Sequence, residues 1–87
     1  MGRLDKVVDQ FLRRPSEASF REVEYVLRAF EYTREGKRGK HQAFVKSGHP
    51  TFVVPLKKGR HMVKSVYIKK LVDLLNLEEW YEQQQRS

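Results

Sequence analysis

The chain has no cysteine in its 87 residues and only three prolines. No disulfide, no Cys-ligated zinc site and no thiol nucleophile is therefore available. The domain must fold on packing alone, which suits a reducing compartment, and a cytoplasmic location is the expectation. No apolar run approaches the ~20 residues of a membrane span, so no membrane association is expected. The first ten residues carry Asp5 and Asp9 and no continuous apolar stretch, so they do not read as a signal peptide. Acid is also scarce in one place. Residues 34–70 hold eleven Lys and Arg against the single acid Glu35, a net charge of +10. Residues 1–33 are neutral and residues 71–87 carry −3, within a total of +7. A basic middle between neutral and acidic flanks is an electrostatic footprint, and a polyanion is its simplest partner. A solvated, lysine-rich surface is the bland alternative. An anionic membrane surface fits less well, because the basic segment does not read as an amphipathic helix.

What is present is enough apolar and aromatic side chain for one small domain. Leu4, Val7, Val8, Phe11 and Leu12 recur at helical spacing, so the pattern predicts a helix over 3–13, ended by Pro15. Ser16 or Ser19 can cap the next helix, and Ser19 with Glu22 three residues on fits a capping box. Phe20, Val23, Val26, Leu27 and Phe30 predict a second helix over 20–30. A strand begins at Tyr32–Arg34. Gly36 to Lys40 reads as a basic, glycine-bracketed hairpin loop, followed by a strand over 41–46. Ser47-Gly48-His49-Pro50 is a turn, and Thr51–Leu56 a third strand. Lys57 to Arg60 is a second basic loop. A third helix is predicted over about 64–75, with Val63 on its apolar stripe and Asn76 closing it. Leu77, Trp80 and Tyr81 suggest a final turn folding back. The order predicts an α+β domain with two layers, helices on one face of a small antiparallel sheet. Residues 1–16 read as a helical extension and 17–87 as the main domain. Strand parity puts Phe44, Phe52 and Val54 on the face that meets the helices. His41, Ala43, Val45 and Val53 then look away from the core.

His41 is the chemical candidate. Gly39, lacking a Cβ, lets the backbone approach a phosphate closely. Imidazole is the side chain suited to proton transfer near neutral pH. Against RNA, a base removing the 2′-OH proton drives attack on the adjacent phosphate, and neighbouring cations steady the developing charge. The competing reading is a polar strand residue on an exposed face. His49 is most simply a turn residue and His61 a solvated loop residue. The histidine spacings match no metal signature, so no metal or other cofactor is expected. Ser47 and Ser65 have no evident triad partners. Phe20, Phe30, Phe44 and Phe52 fit a core by periodicity, and no aromatic RNA-binding motif is present.

Leu27-Arg28-Ala29-Phe30-Glu31-Tyr32 leads into a strand. It is followed by Gly39-Lys40-His41 with Phe44 three residues on, by Phe52-Val53-Val54-Pro55, and by the helix Tyr67 to Leu77. In this order the chain resembles the HicA-type mRNA interferase toxins over roughly residues 19–80. The resemblance implies a double-stranded-RNA-binding-domain-like (dsRBD-like) α-β-β-β-α fold with an extra N-terminal helix and a short C-terminal helical tail. It implies a metal-independent endoribonuclease that cleaves mRNA as the toxin of a toxin–antitoxin system. It also implies inhibition by a HicB-type antitoxin covering the histidine face. The family's catalytic histidine maps to His41. Two positions depart from the family pattern: Lys40 stands where a small residue is usual, and Gln42 where a second histidine often occurs.

Two other functions compete with the ribonuclease. One is a non-catalytic RNA-binding module of the same fold. The other is a protein-interaction domain whose basic patch meets an acidic partner. Lys37, Arg38, Lys40, Lys57, Lys58, Arg60 and Lys64 are the expected RNA contacts. Charge reversal of Lys57 and Lys58 is expected to weaken RNA binding and to flatten its log–log salt slope by about 0.7 per lost phosphate contact. Titrations across salt concentrations check this, and an unchanged slope would put the RNA elsewhere.

Overall fold

The computed structural model describes residues 2–38, 41–55 and 61–86. Elements run in the order α1 (Arg3–Leu12), β1 (Glu17–Ser19), α2 (Phe20–Ala29), β2 (Thr33–Arg38), β3 (His41–Val45), β4 (Phe52–Pro55), β5 (Met62–Lys64), α3 (Ser65–Leu75) and α4 (Leu77–Arg86). The architecture is mixed α+β, with two small antiparallel sheets. No described helix is long and apolar enough to cross a membrane.

Helix α1 starts after Gly2 without a side-chain cap and is held by its apolar face, which buries Val7, Val8 and Phe11. It ends before Arg14, whose φ of 54° turns the chain, and Pro15 comes next. Helix α2 has stronger local signals. The Ser19 Oγ accepts from the Glu22 N–H at 3.1 Å, and the Glu22 carboxylate reaches back to the Ser19 N–H. At its other end the Tyr32 N–H donates to the Leu27 carbonyl at 2.9 Å and the Glu31 N–H to that of Arg28 at 3.0 Å. This is a Schellman closure, with Glu31 at φ 69° in the place glycine usually takes. Asn76 ends α3 in the left-handed region at φ 51°, as its position predicts.

Strands β2, β3 and β4 form a meander with β3 in the centre. One face of β3 and β4 is sealed. Phe44, Phe52 and Val54 lie in a single cluster with Val7, Val8 and Phe11 of α1, Val23, Val26 and Leu27 of α2, and Ile68 and Leu71 of α3. The Phe20 and Phe44 rings meet at 6.0 Å between centroids. Helix α1 therefore shares the domain's one core, lying against α2, α3 and α4.

Four sequence expectations are corrected. Val63 is a buried strand residue rather than part of the third helix's stripe, and Lys64 is that helix's N-cap, so α3 begins at Ser65. The final turn is a full helix, α4, with Leu77 buried and Trp80 edge-on to Phe30 at 5.6 Å. A second sheet, β1 paired with β5, was not expected. Its strands have three residues each, too few to show alternation, and pairing Glu17 with Lys64 requires a contact between distant parts of the chain. Finally, Gly36, Lys37 and Arg38 belong to β2 rather than to a loop.

Replacing Ser19 with Ala removes one acceptor and one arm of the capping box. The variant is expected to lose about 1 kcal/mol of stability, measured as a lower urea midpoint with an unchanged slope.

Candidate active site on the outer sheet face

The β3 burial pattern alternates residue by residue. Gln42 and Phe44 are buried, His41 is exposed, and Ala43 and Val45 are half-buried. On β4 the phase matches: Phe52 and Val54 are buried while Val53 is 45 % exposed. The outer face of the meander thus carries His41, Ala43, Val45 and Val53, as strand parity predicts. Phe20, Phe44 and Phe52 are core residues and Phe30 packs against the core.

His41 opens β3 in the central position of the sheet. It is flanked in register by Arg38 of β2 and Pro55 of β4. Lys37 stands opposite Gln42. Pro55 also ends β4, and the basic segment 57–60 begins two residues further on in the chain, so the residue beside His41 is the last described one before that segment. Lys40, Lys57, Lys58 and Arg60 themselves lie outside the described residues. Lys64 is exposed, but it belongs to the second sheet, opposite Glu17, and not to the sheet that carries His41.

Behind His41, on the covered face, lies an arrangement that sequence reading did not anticipate. The Arg34 Nε donates to the Gln42 Oε1 at 2.8 Å, and a second guanidinium N–H of Arg34 donates to the same oxygen. Gln42 is 1 % exposed, so this is a largely desolvated amide meeting a cation. The Arg34 guanidinium also lies 5.4 Å from the centroid of the Phe20 ring and 3.8 Å from the Glu24 carboxylate, which accepts from Arg28 at 3.2 Å. Charge-assisted hydrogen bonds of this kind contribute about 1.5–3 kcal/mol. They explain how the Gln42 amide is buried on the helix-facing side of β3, with the partly exposed Arg34 of β2 as its partner. The parity shared by Gln42 and Phe44 was the available signal.

His49 lies in the turn after β3, exposed, with its Nδ1 3.0 Å from the Ser47 carbonyl oxygen. Its ring stands edge-on to Tyr32 at 6.3 Å. His61 is exposed, and its carbonyl accepts from the Phe20 N–H at 2.7 Å, joining the start of α2 to the segment entering β5. Among the described residues no three His, Asp or Glu side chains cluster as metal ligands would. A groove of about 290 Å³ opens elsewhere, between α1 and α3, floored by Phe11, Leu12, Ile68 and Val72. No family model, curated protein or solved structure matches the chain.

The Tyr32 hydroxyl is buried with no hydrogen-bond partner among the described residues. Burial raises its pKa above the ordinary value of 10.0. An acid whose pKa is higher folded than unfolded contributes stability below the unfolded value, and that contribution fades as pH climbs through the folded one. Tyr32→Phe is therefore expected to raise stability by about 1 kcal/mol near neutrality, because an unpaired buried hydroxyl is removed. Above pH 10 the variant is expected to lose stability less steeply than the wild type. Urea titrations of both proteins across pH 7–11 check the two effects.

Proposed function

We propose that the chain is a metal-independent endoribonuclease that binds mRNA across the outer face of the β2–β3–β4 sheet and cleaves it with His41 as general base. The observation that carries the reading is the exposure of His41 at the head of the central strand, between Arg38 on one side and, on the other, Pro55, from which the chain runs on into the basic segment 57–60. Segregated positive charge supports a polyanionic partner. The run α2–β2–β3–β4–β5–α3, a helix, an antiparallel meander, a short strand paired with β1 and a helix, supports a dsRBD-like arrangement of the HicA type.

The chemistry requires no cofactor. The imidazole of His41 takes the proton of a ribose 2′-OH. The 2′ oxygen bonds to the adjacent phosphorus, the bond from phosphorus to the 5′ oxygen breaks, and that oxygen leaves with a proton from solvent. The products are a cyclic phosphate and a free 5′-OH. Cations near His41 stabilise the extra negative charge on the phosphate during the transfer. Arg38, Lys40, Lys57, Lys58 and Arg60 supply those cations and the backbone contacts, whereas Lys37 stands opposite Gln42 rather than His41. Lys64, on the other sheet, extends the track rather than serving the reacting phosphate.

Gln42 bears on the alternative of a non-catalytic RNA binder. Its side chain is committed to Arg34 on the covered face. A departure from the family pattern at this position therefore leaves the open face around His41 unaltered. As a toxin, the protein acts in the cytoplasm, and a HicB-type antitoxin is the partner that would cover the same face.

Induced expression of the wild type and of His41→Ala, with growth and mRNA integrity as readouts, tests the reading. Purified His41→Ala is expected to lose cleavage by at least about a hundredfold, assayed in EDTA, with RNA affinity nearly unchanged. Retained cleavage in that variant would remove His41 from the mechanism. A wild type that binds RNA without cleaving it would leave the non-catalytic module.

A further inference from the structure

We infer that a bulge in β2 is a register device that selects Arg38, rather than Lys37, as the cation working beside His41. The inference rests on the ribonuclease reading. Arg34 pairs with Phe44, and the next pair is Gly36 with Ala43, so Glu35 has no partner of its own. Beyond it Lys37 pairs with Gln42 and Arg38 with His41. A regular ladder continued from Arg34–Phe44 at one residue per step would instead pair Glu35 with Ala43 and Lys37 with His41. One inserted residue thus exchanges which basic residue stands across from the histidine. Directly opposed positions share a face of a sheet, and a shift by one moves a residue to the other face.

Two features hold the register. Upstream, Arg34 is pinned by Gln42, Glu24 and the Phe20 ring, so the pair before the bulge is anchored. At the bulge, Gly36 takes φ 139°, a conformation that residues with a Cβ rarely adopt. A bulge of this kind beside a reacting group re-aims the residues downstream of it. The choice it makes matters because the two cations differ. A guanidinium presents a planar fork that meets two phosphate oxygens at once, whereas an ammonium is a point charge on a flexible stem. The position beside the base calls for the first, to hold the phosphate as its charge grows. Lys37 stands opposite Gln42, at a register position away from His41.

The absence of cysteine makes the register directly measurable. Opposed residues in an antiparallel pair have Cα atoms about 4.5–5.5 Å apart, within disulfide reach. The double variant Arg38→Cys with His41→Cys is expected to cross-link under mild oxidation. Lys37→Cys with His41→Cys is expected not to. The reverse result would overturn the register. In single-turnover and steady-state cleavage, Arg38→Ala is expected to lower kcat roughly a hundredfold with little change in KM. Arg38→Lys is expected to recover part of that loss. Lys37→Ala is expected to cost less than about tenfold in kcat. Equal kcat losses in the two alanine variants would overturn the selection of Arg38. If the wild type itself does not cleave RNA, the ribonuclease reading falls and takes the role of Arg38 with it. The cross-link pattern reports on the register separately, so the two failures are told apart.

Discussion

Phe44 is the side chain around which the domain is arranged. It sits on the central strand of the meander, fully buried, with its ring against Phe20 at the start of α2. A chain of this size supports one hydrophobic core, so the central strand has one face to bury and one to leave open. Once Phe44 points inward, the twofold period of the strand sends Gln42 inward with it and turns His41, Ala43 and Val45 outward. The exposure of the candidate catalytic residue is thus a by-product of core formation. Nothing on the outer face has to be stabilised for it.

The same constraint creates a difficulty on the covered side, and the structure shows its solution. Gln42 faces the helices, where an amide left without partners is costly, and Arg34 beside it stays partly exposed. They satisfy one another, and Glu24 and the Phe20 ring also contact the guanidinium. These contacts tie α2 to β2 and β3. The element that presents His41 is thereby coupled to the helix layer by polar as well as apolar contacts. The core and the candidate site occupy opposite sides of one strand. A substitution at Gln42 or Arg34 acts on the site only through the position of β3, whereas one at His41 leaves the core untouched.

Helices α1 and α4 complete the enclosure. Val7, Val8 and Phe11 of α1 and Leu77 of α4 are buried in the cluster that holds Phe44, so the N-terminal segment is structural rather than an appendage. Acidic side chains concentrate in the first turn of α4, at Glu78 and Glu79, where they complement the helix dipole. The negative charge of the C-terminal segment thus has a local structural role. Within the basic middle of the chain, Lys64, Lys69 and Lys70 are exposed, which leaves their charge available to a polyanion.

Local physics was legible in the residues alone. Helical periodicity located α1 and α2, the Ser19–Glu22 pair announced the capping box, Asn76 marked the end of α3, and alternation around Phe44 put His41 outside. Each of these depends on residues within one or two turns of helix or on a single strand, so a short stretch of sequence contains the whole cause. Tertiary structure alone decided the rest. The pairing of β1 with β5 joins segments far apart in the chain, and both strands pack against the helices beside them. The extension of β2 through Gly36 to Arg38 depends on hydrogen bonding to β3 and on a bulge, while glycines flanked by basic residues read locally as a loop. The partnership of Arg34 with Gln42 needs two strands in register. The sequence by itself determined which face of β3 is open, because side-chain direction along a strand is a local property. Which cation stands across from His41 was decided only by the fold, because cross-strand register is set by how two segments meet and by one residue that does not pair.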